Sequence, residues 1–154
     1  MANKSLQDTY APKTICFGCG PANTQGLQIK SFVQGDEVVA QWRAQPHHQA
    51  FPGILGGGII GALLDCHCNW AAVHHLMNLN QLDHPPCTVT SVYAIKLMRP
   101  TPIDGVIELR AKVISATNDR ATVFGELSAA GKVCASCEAT FIAVKEGHPA
   151  FARW

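Results

Sequence analysis

Asp65 is the carboxylate that most invites a chemical role, because it stands inside the most apolar stretch of the chain, Ala50 to Val73. An unpaired ion in such surroundings is costly, so the group must find partners or shift its pKa. A carboxylate placed this way suits a general base, although an Asp hydrogen-bonded to a neighbouring loop is the simpler reading of one such residue taken alone. Asn69 lies four residues on and, on a helix, shares the Asp65 face, where it can orient the carboxylate or a water beside it. Gly56-Gly57-Gly58 opens the same stretch without side chains to shield the free N–H groups at the positive end of a helix. Such an end suits an oxyanion or a polarised carbonyl.

The seven cysteines, an odd number, read as free thiols of a reducing compartment. Cys134 and Cys137 lie in a strand-like stretch, where an odd separation sends side chains to opposite faces. Cys66 and Cys68 are about 200° apart around a helix and away from its N-terminus, where thiolates gain most, so inert buried thiols are expected there. Cys16-Phe17-Gly18-Cys19-Gly20 has the spacing of a zinc knuckle, but no second half-site accompanies it, and no metal is expected. Among the histidines, His67 and His74 share a helix face about 10 Å apart along the axis, and His74 and His75 point different ways. His47 and His48 precede the glycine turn, within reach of a substrate.

Holding these residues in place requires a fold of modest size. With 154 residues, 47% hydrophobic and 15% charged, a single domain over 1–154 is expected, with 1–14 a polar N-terminal arm and 146–154 a tail docked through Phe151 and Trp154. Twelve Lys and Arg against 11 Asp and Glu give a charge of +1 without a basic run, which excludes the electrostatic footprint of a nucleic-acid binder. The polar N-terminus lacks an apolar signal core, so a soluble, cytoplasmic protein without membrane contact is expected.

Leu27 to Val33 and Val38 to Trp42 alternate about the turn Gln34-Gly35-Asp36 and predict a hairpin. Ile59 to about Leu79 lacks alternation and predicts one long helix, apolar around most of its circumference. Val89–Met98, Val106–Ile114, Ala121–Leu127 and Val133–Val144 then predict four strands with short turns between them. Consecutive strands without crossovers imply an antiparallel sheet, and a helix apolar on nearly all sides implies that the sheet curls around it. The fold class is therefore α+β, with about six strands wrapped around one central helix.

Several segments resemble the hotdog-fold acyl-CoA thioesterases of the phenylacetic-acid-degradation and 4-hydroxybenzoyl-CoA thioesterase-like type. His48-Gln49-Ala50-Phe51-Pro52-Gly53-Ile54-Leu55-Gly56-Gly57-Gly58, followed seven residues later by Asp65, resembles that family's helix-entry motif. Cys16-Phe17-x-Cys19-Gly20-x-x-Asn23-x-x-Gly26-Leu27 and the stretch from Val89-Thr90 to Arg99-Pro100 resemble its other signatures. The resemblance implies a hotdog fold and a homodimer, often a dimer of dimers, with no metal and no cofactor other than the CoA of the substrate. By the same resemblance, Asp65 is the catalytic acid residue that activates water or attacks the thioester carbonyl itself, and the N–H of Gly57 polarises that carbonyl. Asn69 and Thr90 fall near the reacting centre. Gln49, Gly56 and Gly58 are candidates for substrate contact, and Arg120, beside Asp119, for the CoA phosphates. Gly56 stands where most of the family has a histidine. An enoyl-CoA hydratase on the same fold and a noncatalytic acyl-CoA binding protein are the competing functions.

Overall fold

The computed structural model describes residues 3–154. Its elements in chain order are α1 (Leu6–Tyr10), β1 (Phe32–Gln34), β2 (Glu37–Trp42), β3 (Gln49–Phe51), β4 (Ile54–Leu55), α2 (Gly57–Leu79), β5 (Thr88–Leu97), β6 (Ile107–Ala116), β7 (Arg120–Ala129) and β8 (Lys132–Ala143). Six strands form one antiparallel sheet in the order β1-β2-β6-β7-β8-β5, and β3 and β4 form a small separate ladder. The expected α+β architecture is the one that forms, with α2 packed against β2, β5, β6, β7 and β8.

Leu63, Leu64, Trp70, Val73 and Leu76 of α2 are buried against Leu109, Val123, Leu127, Ala139 and Phe141 of the sheet. Burying each such side chain is worth about 1.5–3 kcal/mol, so this interface fixes the helix to the sheet. One stripe of α2 escapes the sheet: Gly58, Ala62, Asp65, Cys66 and Asn69 are all partly or fully open. Their spacing of i, i+4, i+7, i+8 and i+11 is one helical face.

Edge strand β5 runs antiparallel to α2. Leu97 lies beside Gly57, Tyr93 beside Gly61, Thr90 beside Asp65 and Thr88 beside Asn69. A bulge makes this possible, because the β5–β8 register shifts between Thr90 and Val92. The extra residue, Ser91, lets Thr88 and Thr90 face the helix together with Tyr93, Ile95 and Leu97.

The first hairpin is shorter than its alternation suggests. Leu27, Ile29 and Ser31 are buried in an irregular segment that bonds to Phe17 O, Gly18 O and the Gln7 side chain instead of a strand. Within the N-terminal stretch, Leu6–Tyr10 is helical, capped by Ser5 Oγ on the Asp8 N–H, and Leu6, Gln7 and Ala11 are buried. At the other end, Trp154 packs on Trp70 with ring centroids 5.2 Å apart and donates from its indole nitrogen to Pro85 O.

Candidate functional site

A cavity of about 400 Å³ opens along the uncovered stripe of α2, walled by Thr14, Cys16, Cys19, Asp65, Cys66, Asn69, Trp70, Thr88, Thr90, Arg153 and Trp154 among others. Asp65 is brought to it because the helix turns its only acidic residue toward the side that the sheet leaves open. Its carboxylate is half-buried, and burial raises its pKa above the ordinary aspartate value. The hydrogen bond from Thr90 Oγ1 to Asp65 Oδ1, 2.8 Å long, pulls the other way, as does the charge of Arg153. Asn69 sits one turn further along the wall, where its Oδ1 accepts from Thr88 Oγ1 at 2.5 Å. That bond ties Asn69 to β5 rather than to Asp65.

Three thiols share the same wall. The sulfurs of Cys16, Cys19 and Cys66 all lie within 4.8 Å of one another, and Cys16 Sγ to Cys66 Sγ is 3.7 Å. Thiols this close compete for protons: Cys16 is held toward thiolate by hydrogen bonds from Cys19 and Cys66, and Cys19, donating to it, is pushed up to about 11. Cys66 is raised by the same contacts and by burial. Comparing Cys66 only with Cys68, its neighbour in sequence, misses this cluster, because its partners stand about 50 residues away. The available signal was the Cys16-x-x-Cys19-Gly20 knuckle itself.

Other candidates lie elsewhere. Gly56, Gly57 and Gly58 open α2 with Gly56 as the N-cap, and no side chain caps their N–H groups. Gly57 is eight residues from Asp65, a rise of about 12 Å along the axis, so the two ends of the motif do not meet within one chain. Gln49 is used by its own loop: Nε2 donates to Pro46 O at 2.7 Å, and Oε1 accepts from the Gly53 N–H at 2.5 Å. Arg120, at the start of β7, is exposed and lies 3.5 Å from Asp119, outside the cavity. His48 stacks on Trp42 and accepts from the Gln45 N–H, which closes the turn before β3. His67 is fully buried between Ser31 Oγ and Val38 O, at 2.8 and 2.9 Å, and burial pushes its pKa down to about 4. It belongs to the core.

No family model matches the sequence, and no curated protein matches it. Solved structures do. A thioesterase superfamily protein from Shewanella loihica PV-4 is 26% identical, with a TM-score of 0.66 over 81% of this chain and 98% of the other. A phenylacetic acid degradation-related protein from Ralstonia eutropha JMP134 is 22% identical, with a TM-score of 0.66 over 82% of this chain and 92% of the other. A thioesterase from Haemophilus influenzae is 19% identical, with a TM-score of 0.66 over 79% and 84% of the two chains. The six-stranded sheet around α2 is the hotdog fold, and the chain is similar in structure to proteins of the thioesterase superfamily.

Proposed function

We propose that this protein is an acyl-CoA thioesterase that hydrolyses R–CO–S–CoA with water to a carboxylic acid and free CoA. The observation that carries this reading is the half-buried Asp65 carboxylate, steadied by Thr90 and facing a cavity next to Asn69. In one form of the reaction Asp65 takes a proton from the attacking water, the C–S bond breaks and that proton passes to the thiolate. In the other, Asp65 attacks the carbonyl carbon, the thiolate leaves, and water then cleaves the mixed anhydride, releasing the acid, restoring the carboxylate and supplying the thiolate's proton. The carbonyl oxygen, gaining negative charge, needs N–H donors about 3 Å away. Gly57 of the same chain is too far to serve.

A dimer supplies the missing donor. Edge strand β5 is ten residues long, and Val92, Tyr93, Leu97 and Met98 are exposed on it or just after it. A long apolar edge of this kind invites pairing. Two copies pairing β5 antiparallel about a two-fold axis near Tyr93 and Ala94 bring Thr90 opposite Leu97 of the partner subunit. Because Thr90 marks Asp65 and Leu97 marks Gly57, the same operation brings Asp65 toward the partner's Gly57 and makes two equivalent sites.

The experiment is an acyl-CoA panel spanning short, medium and aryl groups, read by thiol release, on the wild type and on Asp65→Ala. Release by the wild type and a loss of about 100-fold to 10,000-fold in the variant are expected. Hydration of an enoyl-CoA without thiol release would replace the proposal with a hydratase, and binding without turnover would replace it with an acyl-CoA binding protein.

A further inference from the structure

The thiol cluster beside Asp65 has no part in that hydrolysis, and its geometry is that of a ligand set. Zinc–sulfur bonds of about 2.3 Å arranged tetrahedrally place sulfurs about 3.8 Å apart. Cys16 Sγ and Cys66 Sγ are separated by 3.7 Å, and Cys19 Sγ completes a triangle whose sides are all within 4.8 Å. We propose that Cys16, Cys19 and Cys66 bind one zinc ion as a three-thiolate site whose fourth coordination position opens to the cavity.

The surroundings are arranged for this. Gly18 is required by the third ligand, since a Cβ there would overlap Cys66 Sγ. Gly20 is required by the loop, since a Cβ there would overlap the backbone of Thr14, Ile15 and Cys16. The indole N–H of Trp70 donates to Cys19 Sγ at 3.3 Å. Such donors orient metal-bound sulfur and temper its charge. The loop is braced before any ion arrives: Gly20 N–H donates to Cys16 O, Leu27 N–H to Phe17 O, and the Gln28 amide to Gly20 O and Asn23 O. Soft sulfur donors in a tetrahedral array select zinc over oxygen-seeking calcium or magnesium. On binding, the thiol protons pass to solvent and the oxidation states stay unchanged. All three cysteines line the cavity, so a water or a soft solute thiolate is the natural fourth ligand.

The test needs no acyl-CoA, so it stands or falls apart from the thioesterase reading. The full-length protein, reduced and stripped with a chelator, is titrated with zinc against a chromophoric chelator. One zinc per chain is expected for the wild type and for the control Cys134→Ser. Cys16→Ser, Cys19→Ser and Cys66→Ser should each weaken binding about 100-fold or more, since even outer-shell partners cost 10- to 100-fold. A second measurement uses the wild type alone: zinc should shield Cys16, Cys19 and Cys66 from alkylation, read by peptide mass, whether or not a serine variant folds. Less than stoichiometric zinc, undiminished binding in folded serine variants, or unchanged alkylation of the three sulfurs would each overturn the site.

Discussion

Thr90 Oγ1 donates to Asp65 Oδ1 over 2.8 Å, and through that one bond the edge strand sets the position of the carboxylate on the central helix. A hydrogen bond to a charged group is worth about 1.5–3 kcal/mol, or roughly 10- to 100-fold in rate where it is needed in the transition state. Thr90→Val, which keeps the shape and drops the donor, should lower kcat by that factor while the thermal melt barely moves. Thr90→Ser should recover most of the loss. Equal turnover in wild type and Thr90→Val would show that the bond is only structural.

The shared site has a direct complementation test. Asp65→Ala removes the carboxylate, and Gly57→Pro removes the N–H. Proline is well suited to this position, since Gly57 is the first residue of α2 and Gly56 before it has the extended conformation that a following proline requires. Each variant alone should be inactive. Mixed dimers should regain one site in two, because the first variant keeps Gly57 and the second keeps Asp65. A mixture that stays inactive after verified subunit exchange would place each site within one chain.

The proposed two-fold axis passes near Ala94, which is exposed on the β5 edge. Ala94→Lys brings two like charges together at the axis, an arrangement that sheet edges use to prevent pairing. The variant should fold, run as a monomer in light scattering and lose turnover with the dimer. A fully active dimer would move the interface to another face.

His67 sets the acid limit of stability. Its pKa falls from 6.5 in the unfolded chain to about 4 in the folded protein, so between those values the unfolded state binds more protons. Stability is therefore full above pH 6.5 and declines as the pH drops toward 4, by about 3 kcal/mol over the window. Denaturant midpoints measured between pH 7.5 and 4 check this. His67→Gln, able to accept from Ser31 and donate to Val38 without titrating, should flatten the slope. Parallel curves for the two proteins would remove His67 as the cause.

Much of the architecture was legible because long elements write their period plainly. The helix from Gly57 to Leu79 and the four strands that follow it fall within a residue or two of where hydrophobic spacing puts them. Leu27 to Ser31 misled for a physical reason: side chains of an irregular segment can alternate into a core while their backbone bonds go to loops. Leu6–Tyr10 is too short to show a period, and its stability comes from the Ser5 cap and burial of Leu6. At the cavity, Asp65 and Asn69 announced themselves through helical spacing. The meeting of Cys66 with Cys16 and Cys19 did not, since it depends on how a loop folds back on the helix.

Ser91 gives β5 two phases. Ahead of it, Thr88 and Thr90 serve the carboxylate end of the helix; beyond it, Tyr93, Ile95 and Leu97 serve the helix start and the free edge. The two sets differ in sequence parity and the bulge absorbs that difference, so deleting Ser91 would leave a regular ladder with Thr88, Thr90, Tyr93, Ile95 and Leu97 still on the helix face. In the proposed pairing one strand therefore serves both ends of α2, since Thr90 steadies Asp65 and also stands opposite Leu97 of the partner subunit. A change at Thr90 would thus be felt twice, at the carboxylate that it steadies and along the edge where two copies are proposed to meet.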